Sequence, residues 1–476
     1  MRAFTARWIP LALIGFAGAL FTTQLDVVHS FAQGRGSIGG SPRAAVSAVT
    51  TATDPGVRTG AAGAGAVIAG LSGGEMSYFL AAQTTFTSVE AISDGLGPRM
   101  NLDSCAGCHI QPAIGGSSPA VNPQVAFAAK DGGTDTVPSF LSTGGPIRET
   151  RFVRNADGSP DGGVHAIFTI SGRSGAAGCS LMQPDYETAL AQRNIIFRIP
   201  TPTFGAGLIE AIPDEAILDG LDNNSSARAT LGIRGHANFQ VSGRTISGQT
   251  NNNGNDGTVA RFGWKAQNKS LLLFAGEAYN VEMGITNELF QTERDETSSC
   301  QFAVTPNDVT NMNAASGIEA LSDIEKFAIF MRFLAPPEPS STASGGAASI
   351  GNGRDLFNDV GCALCHTPSF TTGSNAVAAL RNQPVHLFSD LLVHDMGSGL
   401  ADGISQGQAG PQEFRSAPLW GLGQRVFLLH DGRTTDLVAA ILAHQSAGSE
   451  ANSVIGNFVQ LAEGQKQDLL NFLRSL

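Results

Sequence analysis

Apolar residues recur at the three- and four-residue spacing of an amphipathic helix in several parts of this chain. Helices are predicted to begin near Gly74, behind the capping box of Ser322 and Glu325, near Gly353, and at Gln467. Each half of the chain therefore starts with a leading helix and ends with an amphipathic helix that packs across it. This repetition predicts a degenerate internal duplication of one helical plan.

Alternating apolar and polar positions occur between these helices. Residues 164–171, Val-His-Ala-Ile-Phe-Thr-Ile-Ser, alternate as a β-strand does. Residues 239–248 and 258–266 flank a run of asparagine, glycine and aspartate, which predicts a β-hairpin with a long tip. We therefore predict that residues from about 120 to 300 form an insertion that contains β-hairpins.

The first residues have the pattern of an export signal. Arg2 and Arg7 precede an apolar run from Ile9 to Phe21 that is too short to span a bilayer. Residues 1–32 are therefore predicted to be a signal peptide that is cleaved after Ala32, and an uncleaved anchor is the alternative. No second long apolar run follows, so we expect a periplasmic or secreted mature protein with no membrane span.

Two segments have the composition of linkers. Residues 33–73 are rich in glycine, alanine, serine and threonine and contain few large apolar side chains, which predicts a flexible linker. Residues 336–350 are rich in proline, serine, glycine and alanine. We predict that they separate an N-terminal domain, 74–335, from a C-terminal domain, 351–476.

Composition and charge narrow the classes of partner. The chain has 476 residues, of which 42% are hydrophobic, so it is long enough for two or three domains with their own cores. Its net charge of −12 argues against nucleic acid and against an anionic membrane surface, because both attract basic patches. The same charge permits docking of a small, basic, soluble electron-carrier protein.

A Cys-x-x-Cys-His motif occurs twice, and it is the attachment signal for a c-type haem. The two copies are formed by Cys105, Cys108 and His109, and by Cys362, Cys365 and His366. In such motifs the thiols bond to the porphyrin and the histidine becomes the proximal iron ligand. One copy alone would leave a redox dithiol or half a zinc site open, but two copies behind an export signal favour two covalently bound haems. The predicted fold is mainly α, with two cytochrome-c-like haem domains.

The remaining cysteines are even in number. Four of the six belong to the haem motifs, which leaves Cys179 and Cys300. In an exported chain this remainder predicts a disulfide between them, with two buried free thiols as the alternative.

Several segments resemble known di-haem proteins. Residues 414–432, which include Phe-Arg-Ser-Ala-Pro-Leu and end in His-Asp-Gly, resemble the C-terminal haem domain of bacterial di-haem cytochrome c peroxidases. From about residue 75 to the end, the chain resembles the di-haem oxidoreductase family, whose members are named peroxidases or thiol oxidoreductases. The segments that carry this second resemblance are Gly95–Asn101, Thr203–Pro213, Arg261–Ala266, Met283–Thr286 and His394–Gly397. It implies a haem-dependent oxidoreductase.

The resemblance also indicates the distal ligand of the C-terminal haem. The peroxidases carry a methionine ligand fourteen residues after the histidine of His-Asp-Gly, and here that position, counted from His430, is His444. We therefore predict a haem ligated by His366 and His444, with a lower potential than methionine ligation would give. Met396 is the next choice, and an idle histidine at a helix end is the alternative for His444. Calcium lies between the domains of these relatives, but no loop pattern in this sequence identifies such a site.

By analogy the N-terminal haem is the reactive one, and peroxide chemistry there needs a group that moves a proton. Glu210, a carboxylate in an apolar segment, is the first candidate, with an ion pair to an arginine as the alternative. His165 is the second candidate, although a histidine on an alternating strand is more often structural. Met100 and Met283 could cap this iron instead, but such methionines usually fill cores.

Trp264 and Trp420 are the tryptophans of the predicted mature chain, and each is a candidate electron relay or a packed aromatic. We predict a peroxidase-like di-haem oxidoreductase. Electrons from a soluble carrier would enter at the C-terminal haem, and hydrogen peroxide or oxygen would react at the N-terminal haem. A non-catalytic electron-transfer protein and a haem oxygenase acting on an organic substrate are the alternatives.

Overall fold

The computed structural model describes residues 51–239, 244–246, 249–251 and 259–476. The predicted signal peptide and residues 33–50 of the predicted linker lie outside these ranges, as does most of the predicted hairpin tip. The described residues belong to one compact unit, Ser47–Leu476.

Helices and strands occur along the whole described chain. The α-helices are α1 (Gly73–Thr87), α2 (Cys105–Cys108), α3 (Gln124–Phe127), α4 (Tyr186–Ala191), α5 (Ala206–Glu210), α6 (Asp214–Asn223), α7 (Ser225–Leu231), α8 (Leu271–Met283), α9 (Gly317–Ala320), α10 (Asp323–Phe333), α11 (Gly346–Asp359), α12 (Gly397–Leu400), α13 (Leu437–Leu442), α14 (Asn452–Gln460) and α15 (Glu463–Ser475). The strands are β1 (Arg99–Met100), β2 (Glu149–Phe152), β3 (Phe168–Thr169), β4 (Ile195–Arg198), β5 (Asn238–Phe239), β6 (Arg244–Ile246), β7 (Gln249–Asn251), β8 (Val259–Ala260), β9 (Phe370–Thr371), β10 (Pro384–Val385), β11 (Val393–Asp395) and β12 (Glu413–Arg415).

The strands form two-stranded antiparallel pairs, β1 with β3, β2 with β4, β5 with β8, β6 with β7, β9 with β10 and β11 with β12. Helix accounts for 35% of the described residues, so the fold is mixed, which corrects the prediction of a mainly α fold. The reason is the abundance of glycine, 58 residues, which favours turns and loops over long helices.

The predicted insertion contains β-structure, but its strands are shorter than predicted. Of residues 164–171 only β3 is a strand, because its partner β1 is two residues long. The neighbouring backbone bonds elsewhere, since Ile167 N donates to the Asn101 side chain and His165 N to Thr150 O. The predicted hairpin corresponds to the pairing of β5 with β8.

Two helix pairs repeat the same packing. In the first half, α1 lies against α10, with ring centroids of Phe79 and Phe330 5.6 Å apart. In the second half, α11 lies against α15, and the Phe357 and Phe472 centroids are 5.5 Å apart. A Cβ at Gly353 would lie 2.0 Å from the Asp468 carbonyl oxygen, so only glycine permits this close crossing. The predicted capping box of α10 is present.

Apolar side chains from both predicted domains meet in one buried cluster. Apolar residues of the segment 379–392 belong to the same buried cluster as α1, α8 and α10, while a second cluster lies around α11 and α15. Two buried ion pairs also join the halves, Arg198 with Asp402 at 2.8 Å and Arg228 with Asp390 at 2.7 Å. The helix α11 begins at Gly346, inside the predicted linker 336–350.

Residues 51–72, part of the predicted flexible linker, make contacts with both halves of the described chain. Asp54 forms an ion pair with Arg474 of α15 at 2.6 Å and accepts a hydrogen bond from the first N–H of α13, Leu437 N. Further along, Arg58 N donates to Gly423 O and Ile68 N to Phe333 O. Backbone and ionic contacts therefore hold this segment, and Ile68 adds a buried apolar side chain to the core.

A disulfide joins Cys179 and Cys300, as the cysteine count predicted. It closes a loop of 121 residues, and both half-cystines are buried. In the entropic account such a loop restricts the unfolded chain by about 4–5 kcal/mol.

Candidate functional site

Both Cys-x-x-Cys-His motifs hold their histidine in the same way. Nδ1 of His109 lies 3.0 Å from Gly116 O, and Nδ1 of His366 lies 3.1 Å from Phe388 O. A hydrogen on Nδ1 that is bonded to a carbonyl makes Nε2 the nitrogen available to a metal. The leading helix of each half also supplies one phenylalanine ring beside the histidine, Phe86 at 6.2 Å and Phe357 at 6.5 Å.

Each motif lines its own cavity. The N-terminal cavity, about 140 Å³, is bordered by Cys105, Cys108 and His109 together with residues of α8 and α10. The C-terminal cavity, about 220 Å³, is bordered by Cys362, Cys365 and His366 together with residues of α11, α13, α14 and α15. Two thiols and an oriented imidazole at the wall of a mostly apolar cavity are what a covalently attached haem requires, so the residues present fit this group at both places.

The motif thiols do not have the character of a redox dithiol. Cys105, Cys108, Cys362 and Cys365 are not joined in disulfides. Burial raises the pKa of Cys105 and Cys108 above the ordinary range and that of Cys362 to about 12. Redox-active thiols have a lowered pKa, because the thiolate is the reactive form.

His444, the predicted distal ligand, lies in the wall of the C-terminal cavity, and its ligation of an iron stays a prediction. His444 follows α13 and lines the cavity, and its Nδ1 bonds to Ala440 O at 2.8 Å. Burial and the neighbouring His444 lower the pKa of His366 to about 4, so both imidazoles are neutral, which is the form that ligates iron. Met396, the alternative ligand, also lines this cavity.

A third histidine of the C-terminal cavity was not singled out by the sequence. His394 is buried between two carboxylates, with Asp390 3.0 Å from Nε2 and Glu450 3.0 Å from Nδ1. The Cys365 sulfur lies 3.7 Å from Nδ1. His394 is thus fixed beside the second motif, and both of its nitrogens are occupied by carboxylates.

The wall of the N-terminal cavity contains acidic and basic side chains. Its wall includes Glu149 and Arg151 of β2, Arg198 of β4, and Glu277 and Glu282 of α8. Arg151 forms an ion pair with Glu149, and Glu277 accepts a hydrogen bond from the Asn268 side chain. The sequence analysis did not select any of these charged residues as candidates.

Two of these carboxyl groups form a hydrogen-bonded pair. Burial would raise the pKa of Glu149, but Arg151 and the hydrogen bond with Glu282 hold it well below its usual range. Burial and the Glu149 charge raise the pKa of Glu282 well above its usual range. Asn101 donates a further hydrogen bond to Glu282 at 2.6 Å. At neutral pH this pair therefore contains one ionised and one protonated carboxyl group.

The two acid–base candidates from the sequence are placed elsewhere. Glu210 forms an ion pair with Arg332 at 2.7 Å and accepts a hydrogen bond from Leu271 N, the first residue of α8. His165 bonds to Asp161 at 2.7 Å and stacks on Phe152 with ring centroids 3.9 Å apart. Neither residue is among those that line the N-terminal cavity.

The two tryptophans differ in position. Trp264 lines both cavities, and its indole N–H donates to Ile199 O at 2.9 Å. Trp420 lines neither cavity and packs in the shared core against Gly205, where a Cβ would lie 2.5 Å from the indole. Trp264 thus has the position of a bridge, while Trp420 has that of a packed aromatic.

The two methionines that were considered as ligands of the N-terminal iron also differ in position. Met283, at the end of α8, lines the N-terminal cavity, whereas Met100 is fully buried in β1 and does not line it.

In the described ranges no group of three or more histidine, cysteine or acidic side chains could hold a bare metal ion. No helix of the described chain is both long and apolar enough to cross a bilayer.

Comparison with known proteins gives one family match. A solved hydrazine synthase of Kuenenia stuttgartiensis, under 20 bar of xenon, is 17% identical, with a TM-score of 0.22 and coverage of 34% of this chain and 56% of that one. That similarity carries no argument, and this chain spans little more than half of that protein. No curated protein matches. The profile of the family described as "Di-haem oxidoreductase, putative peroxidase" matches residues 152–476, which include the second motif. Because this match covers more than half of the sequence, the chain belongs to the di-haem oxidoreductase family.

Proposed function

We propose that the mature protein is a periplasmic di-haem c-type oxidoreductase that reduces hydrogen peroxide or oxygen in its N-terminal cavity. Electrons from a small soluble carrier protein would enter at the C-terminal cavity. The observation that carries this proposal is the difference between the two cavities. One is lined by both His366 and His444, and the other by the carboxyl pair of Glu149 and Glu282.

A haem attached at each motif supplies one-electron redox chemistry at its iron. The side chains of the two cavities would then have different roles. His366 and His444 are both neutral and face one cavity, so they can fix a haem from two sides and exclude small molecules there. Such a site transfers electrons and does not bind substrate.

Glu282 is the residue that we propose for proton transfer in the N-terminal cavity. Its carboxyl group is buried and protonated, and it can give its proton to the departing oxygen of a peroxide molecule. Glu149, held ionised by Arg151, keeps that proton on Glu282 until substrate binds. Glu282 therefore takes the role for which Glu210 and His165 were candidates, because it lines the cavity and they do not.

Electrons must pass from one cavity to the other, and Trp264 is the side chain that lines both. The hydrogen bond to Ile199 O fixes the indole ring, and Ile199 itself lines both cavities. We propose that this wall is the electron route. The carboxyl pair favours the enzyme over a protein that only transfers electrons, since buried carboxyl groups are costly without a chemical role.

The test uses the full-length chain, exported by a host that matures c-type cytochromes. We expect two irons per chain, haem stain at the mature mass after denaturation, and peroxide turnover with a reduced carrier protein. Paramagnetic resonance should show one low-spin and one high-spin haem. Colour lost on acid–acetone extraction, or two low-spin haems without turnover, would contradict the proposal.

Matched serine variants assign the haems. Replacing Cys105 and Cys108 by serine should remove the high-spin signal and the turnover, because the reactive haem is lost. Replacing Cys362 and Cys365 should remove the low-spin signal and leave the high-spin one. The opposite assignment of signals would exchange the roles of the two cavities.

A further inference from the structure

Two arginines in the wall of the C-terminal cavity have no carboxylate partner. Arg415, the last residue of β12, and Arg425, after the turn Leu422–Gln424, both line this cavity. Arg415 donates to Gly263 O at 2.9 Å, and Arg425 donates to Pro418 O at 2.6 Å. Among the described residues no acidic side chain forms an ion pair with either guanidinium, and the buried Nε of Arg425 has no hydrogen-bond partner.

Three fully buried arginines among the described residues are paired with a carboxylate. Arg198 lies 2.8 Å from Asp402, Arg228 lies 2.7 Å from Asp390, and Arg474 lies 2.6 Å from Asp54. A buried cation without a counter-ion is destabilising by several kcal/mol, so unpaired ones are rare. Arg415 and Arg425 differ from these three arginines, because no carboxylate of the described residues balances their charge.

The two guanidinium groups also repel each other. Burial and the charge of Arg425 lower the pKa of Arg415 to about 10, and burial lowers the pKa of Arg425 to about 10. No acidic group opposes either shift. Two like charges held together at the wall of a cavity are stabilised by an anion between them, and a carboxylate matches the planar donors of guanidinium.

We propose that Arg415 and Arg425 form a carboxylate-binding site in the wall of the C-terminal cavity, and that its occupant is a propionate of the haem held there. The inference rests on the proposed function, since it needs a haem attached at Cys362 and Cys365. The tethered haem presents its carboxylates at a far higher local concentration than any free anion could reach.

The site is also connected to the bridge between the cavities. Arg415 N donates to Trp264 O at 2.9 Å, and the Arg415 side chain bonds to the preceding residue, Gly263. A propionate held by Arg415 would thus be linked through one residue to the backbone of Trp264. Arg415 is in this sense a positioning residue for the electron route.

The test measures the midpoint potential of the low-spin haem in holoprotein by potentiometry monitored with paramagnetic resonance. Arg415→Gln and Arg425→Gln should each shift it to lower values, and the double variant further, because a positive charge beside the haem disfavours the ferric state. Arg433→Gln, which removes the same charge from an exposed ion pair with Asp431, is the matched control and should shift nothing. Arg415→Lys and Arg425→Lys keep the charge and should shift the potential less.

A measurement on the wild type covers the case in which the variants fail to fold. The propionate vibrations of the low-spin haem in resonance Raman spectra should shift in D₂O, because deuterated guanidinium groups hold the carboxylate. No such shift, or an unchanged potential in the double variant, would overturn the inference.

Added acetate separates the two sources of the carboxylate. It should leave the low-spin signal unchanged, and a saturable change would mean that the site takes a free carboxylate and would overturn the propionate assignment. Absence of covalent haem would instead defeat the proposed function, and haem staining of the same samples distinguishes the two failures.

Discussion

The two cavities are built alike on the side of the motif histidine and differently on the opposite side. In both, Nδ1 of the histidine bonds to a backbone carbonyl and a phenylalanine of the leading helix lies against the ring. Among the other lining residues, the C-terminal cavity offers His444, and the N-terminal cavity offers Glu149 and Glu282. A duplicated support can therefore serve two tasks, because the choice of facing side chains decides whether an iron is closed or open.

The difference extends to how charge is balanced. In the N-terminal cavity the cations face acids within the protein, Arg151 against Glu149 and Arg198 against Asp402. In the C-terminal cavity Arg415 and Arg425 lack such partners among the described residues, and their charge is left for a bound group. Under the proposed function, Glu149 and Glu282 would manage protons in the N-terminal cavity, and the two arginines would bind a haem carboxylate in the C-terminal cavity.

Among these variants, Glu282→Gln should change the difference between the two cavities most, because it should remove the proposed proton donor of the N-terminal cavity. Glutamine keeps the hydrogen-bonding size of the side chain but cannot give up a proton, so peroxide turnover should fall by about 10²–10⁴-fold. Both haems should remain attached, and the low-spin signal of the C-terminal haem should not change. Steady-state assays normalised to haem content make this measurement.

The control for Glu282→Gln is Glu210→Gln. Glu210 pairs with Arg332 and caps α8, so its replacement should lower the free energy of unfolding but leave turnover per haem nearly unchanged. If Glu210→Gln abolishes turnover and Glu282→Gln does not, the proton donor is Glu210 and the carboxyl pair is structural.

Replacing His444 should make the C-terminal cavity resemble the N-terminal one. With His444→Ala the second haem should lose its distal ligand, and a high-spin signal should replace the low-spin one. With His444→Met the haem should stay low-spin and its potential should rise, since methionine ligation favours the ferrous state. Low-spin signals that survive His444→Ala would instead point to Met396, which lines the same cavity.

Replacing Trp264 by phenylalanine should weaken the connection between the cavities and leave each cavity as it is. Stopped-flow reduction should show an unchanged rate at the low-spin haem and a slower rate at the high-spin haem. Trp420→Phe is the matched control, because Trp420 packs in the core and lines neither cavity. Equal rates in the two variants would remove Trp264 from the electron route.

The parts of the fold that depend on local pattern could be predicted. The motifs, the two helix pairs and the disulfide follow from spacing, capping and cysteine count. The mixed architecture and the bound segment 51–72 could not be predicted in this way. They depend on backbone contacts between residues hundreds of positions apart, such as Arg58 N with Gly423 O, which composition does not encode.

The candidate site shows the same division. His444 was found because a motif fixes its distance from His430. Glu282 was missed, although it satisfies the criterion that selected Glu210, a carboxylate in an apolar segment, since α8 reads Leu-Leu-Leu-Phe-Ala-Gly-Glu-Ala-Tyr-Asn-Val-Glu-Met. The sequence cannot tell which of several such carboxylates has an arginine partner and which faces another carboxyl group, because both answers depend on tertiary contacts.

Among these variants, Asp54→Asn should change the difference between the two cavities least. It should affect the C-terminal cavity alone. Asp54 binds Arg474 and the first N–H of α13, the helix that leads to His444. Asp54→Asn leaves the buried Arg474 guanidinium unpaired and should lower the free energy of unfolding by about 3 kcal/mol at neutral pH. Urea unfolding, followed at the low-spin haem signal, measures this loss.

Acid should reproduce the effect of Asp54→Asn in the wild type. Burial alone would raise the pKa of Asp54, but Arg474 and two backbone N–H groups hold it below its ordinary value of 3.8. A carboxylate with a lowered folded pKa stabilises the protein above its unfolded pKa, and this contribution is lost as the pH falls through the folded value. The stability difference between wild type and Asp54→Asn should therefore be full near pH 7 and shrink below pH 3.8. The low-spin signal of the C-terminal haem should broaden in acid before the high-spin signal does, and simultaneous loss of both signals would mean that Asp54 supports the whole unit.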